Sequence, residues 1–310
     1  MIELGGPTMG VAWSAKALAP VGFDAAAAEA AIQTLLNRLV AQMSPWEPQS
    51  DISRFNRAPA GAWMDMAPAF HHVLSGALRW AQASDGAFDP TAGRLVDLWG
   101  FGPAGAVEAP PAPAAIKAAL AAGGWDRLAL EGSRAFQPGG LELDFSGIAK
   151  GFGVDEVSRA LSAMGLPDHL VEIGGELRGQ GVKPGGEPWW VEIAAPPGSA
   201  LPGGPILLAL HGLAIATSGD YRRFLEHDGR RYAHTLDPRL GRQIDNGVRS
   251  VSVIHGSCMD ADALSTALSV LGPVAGPEFA EKHGLAAYFL VDDGDDLREI
   301  PSSKFEAMLG

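Results

Sequence analysis

"EPWWVEIAAP" (187–196), "PILLALHG" (205–212) and "LAIATSG" (213–219) are short apolar runs rich in Trp, Val, Ile and Leu, parted by Pro and Gly. Aromatic and β-branched residues suit a pleated surface and Pro and Gly interrupt it, so the three read as successive strands of an antiparallel meander. "RSVSVIHG" (249–256) continues the pattern and is followed by a helix beginning near Asp260. Upstream, strand-like pieces lie around 127–130 and 141–145, with "DHLVEIGG" (168–175) a further strand and "GVDEVSRALSAMG" (153–165) a helix between them.

Nearer the N-terminus, "GVAWSAKAL" (10–18) alternates as a strand does. It precedes a long helix, 24–44, with Asp24 as N-cap and leucines at helical spacing. A second helix, 67–86, closes at Gly86, and residues 102–115 are too rich in Pro, Gly and Ala for a core element. They read as a surface loop and a subdomain edge in what is otherwise one domain spanning 1–310. No repeat of fixed period occurs, and the balance of elements is α+β, a mainly antiparallel sheet core flanked by helices.

Composition narrows the function. With 47% hydrophobic and 19% charged residues the chain is globular, and a net charge of −13 argues against nucleic acid as a partner. An anionic ligand such as a nucleotide would need a cation or bare backbone N–H groups to compensate. The single cysteine, Cys258, rules out an intramolecular disulfide and a cysteine-based zinc site. No stretch approaches the roughly 20 apolar residues of a transmembrane segment, and the sequence shows no secretory leader. The expected compartment is cytoplasmic, or periplasmic or membrane-anchored had a signal been trimmed.

Within "DADALSTALSVLG" (260–272), Asp262 and Thr266 are four apart and share a helix face roughly opposite Leu264, Leu268 and Leu271. Two oxygens on one face suit a hard cation such as Mg2+, with a solvated acidic face as the alternative. In "LELDFSGIAKGFGVDEV" (141–157), Asp144 ends a strand and Gly147, Gly151 and Gly153 allow close approach of a ligand or a neighbouring element. The stretch could cradle a phosphate, with the Gly147 carbonyl a third oxygen for the cation. It could equally be a tight strand-to-helix turn with Lys150 in solvent.

His234, beside the turn formers Pro238 and Gly241, is either a general base or a ring that caps the turn. His71, His72, His211 and His255 show no partner pattern. Phe88, Asp89 and Trp99 in one segment, and Trp46, Asp51 and Arg54 in another, fit an aromatic ligand or simply the core.

Taken in order, "GPTMG", "MSPWEPQSDISRFNR", "GAFDPTAGRLVDLWGFGP", "LELDFSGIAKGFGVDEV", "LVEIGGELRGQG", "ATSGDYRRF", "HTLDPRLGRQI" and "SCMDADALSTAL" resemble the FAD:protein FMN transferase family, the ApbE-type flavin transferases. The resemblance implies a T-fold-related architecture and Mg2+-dependent transfer of FMN from FAD to a threonine of an acceptor flavoprotein, with release of AMP. It implies Asp262, Thr266 and the Gly147 carbonyl as metal ligands and His234 as catalytic base. By the same resemblance, Met9, Trp46, Ala87, Phe88, Asp89, Asp144 and Lys150 line the FAD pocket.

Departures from the pattern are Val11 for a common threonine, Trp46 for a frequent tyrosine, and Ser265 where some relatives carry another metal-binding aspartate. Related activities of the same machinery would be hydrolysis of FAD to FMN and AMP, or FAD binding without turnover.

Overall fold

The computed structural model describes residues 1–193, 195–219, 224–294 and 296–309. One sheet of eight strands dominates: β1 (Ile2–Thr8), β2 (Val11–Ala17), β3 (His169–Ile173), β4 (Glu176–Gln180), β5 (Leu213–Gly219), β6 (Val248–His255), β7 (Ala286–Asp293) and β8 (Asp296–Pro301). Their order across the sheet is their order along the chain, and every neighbouring pair is antiparallel. The expected α+β class, an antiparallel sheet flanked by helices, is what the chain adopts.

Tight turns close two of the hairpins. Met9–Gly10 (φ 48° and 75°) and Gly174–Gly175 (φ 61° and 102°) place both central residues at positive φ, the handedness that matches strand twist. At Met9 a side chain occupies the left-handed region that glycine usually fills.

Helices enter as insertions between strands. α1 (Ala25–Met43) is capped by Asp24, which accepts from the Ala27 N–H at 2.9 Å, and it buries Ile32, Leu36 and Leu39 in one core with Trp13, Ala15 and Ala17 of β2. α2 (Pro68–Ala83) ends as Gly86 N–H bonds back to the Ala81 carbonyl at 2.9 Å, while Asp85, one residue earlier, takes the left-handed φ of 51°. α3 (Ala149–Ala163) and α4 (Cys258–His283) pack against each other and against the strands. α4 kinks at Gly272 (φ 84°), where Pro273 restarts it without an N–H to lose.

Both faces of the sheet are covered. Along β7, Ala287, Phe289 and Val291 join a core with Leu264 and Leu268 of α4, whereas Ala286, Tyr288 and Leu290 join one with Trp189 and Phe305. The continuous apolar run of β7, Ala286 to Val291, follows from this two-sided burial.

Three expectations need correction. The three runs between 187 and 219 are strands but not one meander. Trp189–Glu192 and Leu207–Leu210 pair with each other in a separate sheet, and only β5 joins the main one, between β4 and β6. Ala194, within the first run, lies outside the described residues, as do residues 220–223 of "ATSGDYRRF".

Residues 141–144 are not a strand either: only a single bridge links Glu142 to Ala92. Side-chain amides take the place of a strand partner. Asn56 bonds both backbone groups of Leu143 (3.0 and 2.7 Å) and Gln137 both of Leu141 (3.0 and 3.2 Å).

Finally, the helix begins at Ala149, four residues ahead of the expected start, so Lys150 belongs to its first turn and does not stand in solvent before it.

Candidate functional site

The site grows from the crossing of α3 and α4. Ile148, the N-cap of α3, supplies no side-chain acceptor; the Ala149 N–H bonds the Phe145 carbonyl at 2.8 Å, and the N–H groups of the first turn must find their acceptors outside the helix. Asp262 of α4 fills one of these: its Oδ2 accepts from the Gly151 N–H at 3.0 Å. Such proximity requires a bare Cα at 151, since a Cβ there would lie 2.3 Å from the Cys258 carbonyl oxygen. Gly151 therefore serves helix packing, and of the two readings for that glycine the neighbouring element is the correct one.

Asp262 is 3% exposed, which overturns the solvated-face alternative. α4 is buried nearly all round in this first half, so its polar residues face protein.

With Oδ2 fixed by the backbone, Asp262 turns Oδ1 toward Lys150, whose Nζ lies 3.6 Å away. Thr266, one turn on, shares a hydrogen bond with Ser218 of β5 (3.2 Å), and Ser218 also meets Ser265 at 2.8 Å. Ser265 is fully buried and donates to the Asp262 carbonyl at 2.9 Å, so it braces the helix.

Gly147 completes the group. A Cβ on it would sit 3.1 Å from Thr266 Oγ1 and 3.3 Å from Phe88 Cε2, so only glycine leaves the space between these groups clear. Among the described residues no three His, Cys, Asp or Glu side chains gather in a metal-binding cluster. A cation here depends on one carboxylate supplemented by hydroxyl and carbonyl oxygens, a donor set that fits Mg2+, which keeps waters or substrate phosphates in its remaining positions.

The remaining predicted residues divide. Ala87 and Phe88 are buried in the turn after α2, where Phe88 N–H bonds to Ser84 Oγ at 3.1 Å. The Asp89 and Asp144 strips run side by side, Asp144 N–H donating to the Pro90 carbonyl at 2.8 Å. Each carboxylate folds onto its own turn, Asp89 accepting from Thr91 N–H at 2.7 Å and Asp144 from Ser146 N–H at 2.8 Å. Burial pushes both carboxyls above the usual aspartate range, the turn hydrogen bonds opposing it only in part.

Met9 reaches toward α3, its Cε 3.2 Å from where a Cβ on Gly153 would stand. Trp46 is 53% exposed in the loop between α1 and the short helix Asp51–Asn56.

His234 follows the strand Arg230–Ala233, its ring edge-on to Phe101 with centroids 6.3 Å apart. The turn after it is rigid. Asp237 binds the Arg239 guanidinium twice (2.9 and 2.8 Å), and Arg239 lies against Gly86, 3.5 Å from a Cβ built there. The histidine segment is thus tied to the turn that carries Ala87, Phe88 and Asp89.

Three residues escaped sequence reasoning. Ser218 bridges Ser265 and Thr266, Glu176 meets Lys150 at 2.8 Å, and Asp155 accepts from Cys258 and Met259 N–H (3.1 Å each) and from Ser257 Oγ (3.1 Å). Each works through tertiary proximity, which no local spacing announces. Cys258 is sealed in, and burial raises its thiol well above the ordinary range.

Comparison with known proteins gives a consistent picture. The sequence matches the family model described as ApbE family over residues 9–289. An FAD:protein FMN transferase of Vibrio cholerae is 37% identical, the alignment covering 99% of this chain and 92% of the relative. One of Haemophilus influenzae is 34% identical over 99% and 91%. Among solved structures, the apo flavinyl transferase ApbE of Pseudomonas stutzeri has a TM-score of 0.92 at 39% identity, covering 100% of this chain and 96% of its own. The ApbE protein of Thermotoga maritima has a TM-score of 0.88 at 28% identity, with 100% and 99% coverage.

Proposed function

This chain belongs to the ApbE family, and on that premise we propose that it is an FAD:protein FMN transferase, moving FMN from FAD to a threonine hydroxyl of an acceptor flavoprotein and releasing AMP. The observation that carries the reading is the convergence of Asp262, Thr266 and the glycine at 147 beside the Lys150 ammonium. An acidic protein with a net charge of −13 needs such a place to receive a diphosphate.

In the reaction the acceptor's threonine oxygen attacks the FMN phosphorus, and the bond from that phosphorus to the bridging oxygen breaks. The bridging oxygen leaves with AMP, and the threonine proton must go to a base. His234 is the residue assigned to receive it. Asp262, Thr266 and the Gly147 carbonyl would hold Mg2+, which when bound supplies Lewis-acid stabilisation of phosphoryl charge.

Lys150 adds fixed positive charge at the same place, where a phosphoryl group would develop negative charge. Asp144 and Asp89 offer half-buried acceptors for the N–H groups of the flavin nucleotide. Phe88 supplies an apolar wall beside Gly147, placed to shield the reacting phosphorus from water.

The test is incubation of the protein with FAD, Mg2+ and an acceptor flavoprotein, followed by intact mass measurement. Covalent FMN on an acceptor threonine, lost with Asp262→Ala, is the expected result. FAD converted to FMN and AMP with no adduct on the acceptor would make the protein a hydrolase, and FAD left intact would make it a binding protein.

A further inference from the structure

Lys150 is held by two carboxylates at unequal distance. Glu176 opens β4 directly after the Gly174–Gly175 turn and is 2% exposed. Its Oε1 lies 2.8 Å from Lys150 Nζ, whereas Asp262 Oδ1 lies 3.6 Å from the same nitrogen. The turn is shaped for this contact. A Cβ on Gly174 would sit 3.4 Å from Lys150 Cδ, and Gly175 N–H is anchored on Glu172 Oε1 at 2.8 Å. The lysine stem lies along a fixed hairpin that delivers a buried carboxylate to its end.

An ammonium and a divalent cation compete for one carboxylate oxygen, and two cations a few ångström apart repel strongly where water is scarce. Asp262 Oδ2 is already committed to the Gly151 N–H, so Oδ1 is the oxygen at stake. We propose that Glu176 is a positioning residue: it draws the Lys150 ammonium off Asp262 as its counter-ion, and so leaves the Asp262 carboxylate for a divalent cation. This inference rests on the oxygen cradle proposed above. In it Lys150 serves as a phosphate-facing cation without displacing the metal, because a second acid on a neighbouring strand carries the balancing charge.

The experiment titrates Mn2+ alone into the purified protein and follows free Mn2+ by electron paramagnetic resonance. No substrate is present, so turnover does not enter. Glu176→Gln is expected to weaken Mn2+ binding about tenfold or more, as losing a partner of a metal ligand's neighbour does elsewhere. Adding Lys150→Met in that background removes the competing ammonium and is expected to restore binding to within about threefold of wild type, with Glu176→Asp close to wild type. A residue that merely stabilised the fold would give no such rescue.

Equal affinity in wild type and Glu176→Gln overturns the proposal, as does a loss that Lys150→Met fails to restore. Should Glu176→Gln alone not fold, the double variant, neutral at both positions, carries the test: Mn2+ binding near wild type supports the proposal and its absence overturns it. Mn2+ binding that Asp262→Asn leaves unchanged, or that wild type lacks, overturns the oxygen cradle itself and this inference with it.

Discussion

Asp155 of α3 and Asp262 of α4 cap each other's helices. Asp155 accepts from the Cys258 and Met259 N–H groups at the start of α4, and Asp262 accepts from the Gly151 N–H at the start of α3. Each carboxylate satisfies donors that the other helix would leave orphaned. The exchange fixes the crossing of the two helices and with it the direction in which Asp262 presents its second oxygen. The structural device and the candidate site share Asp262.

Asp155 is the purely structural member of the pair. It also receives Arg178 at 3.0 Å, so Asp155→Ala leaves two backbone donors without their acceptor and takes the counter-ion from a guanidinium that keeps the Gly256 carbonyl, at 2.6 Å. The expected loss is about 3 kcal/mol in urea denaturation. Asp262→Asn, which keeps an oxygen for Gly151, is expected to stay within about 1 kcal/mol of wild type while losing metal-dependent transfer.

Gly151→Ala forces a methyl against the Cys258 carbonyl, 2.3 Å from its oxygen, and a backbone carbonyl cannot swing away. The helices must part, at a cost of about 1–3 kcal/mol by thermal denaturation, and transfer activity falls with the loss of the Asp262 contact. Gly153→Ala meets the side-chain ends of Ile173, Met9 and Leu36, at 3.1, 3.2 and 3.7 Å, and is expected to cost less.

His169 makes stability fall in mild acid. Fully buried, it bonds Ser158 at Nε2 and the Leu166 carbonyl at Nδ1, both at 2.7 Å, and burial lowers its affinity for a proton below that of a free imidazole at 6.5. Below pH 6.5 the unfolded chain takes up a proton that the folded chain refuses, so stability is present above that pH and drains away beneath it. Urea midpoints compared at about pH 7.5 and 5.5 should show the decline, and His169→Gln should flatten it.

Asp144 works in the opposite sense. Its folded carboxyl holds a proton more tightly than the unfolded one, so it favours folding at low pH and opposes it once pH has risen above the ordinary 3.8 and through the raised value. Asp144→Asn keeps the bond to Ser146 and is expected to raise the melting temperature at neutral pH while weakening FAD binding, as read by flavin fluorescence. Gain in stability with loss of ligand is the mark of a group kept for binding.

His234→Ala is expected to lower the transfer rate about 10²- to 10⁴-fold with little change in FAD affinity, since proton acceptance is needed only in the transition state. Single-turnover quench experiments separate the two quantities.

How much of this was legible in the sequence depends on the range of each interaction. Asp24 as a cap and the helix faces of α1 follow from spacing within a few residues, and the structure repeats them. The pairing of Asp262 with Thr266 on one face was legible for the same reason, although their burial was not, because α4 is enclosed by elements far away in the chain.

Residues 141–144 look like a strand because their side chains alternate, yet Asn56 and Gln137 take the backbone groups that a strand would have paired. "LAIATSG" joined strands on either side that lie outside its own meander, since sheet order is a long-range property. Glu176 was invisible for the same cause: only the hairpin turn at Gly174–Gly175 brings it to Lys150.

The most direct measurement is anomalous diffraction from crystals of this protein soaked with FAD and Mn2+. A manganese peak within bonding distance of Asp262 Oδ1, Thr266 Oγ1 and the Gly147 carbonyl oxygen, with the diphosphate against it, is the predicted result. A peak elsewhere, or a diphosphate bound away from these three oxygens, would contradict it.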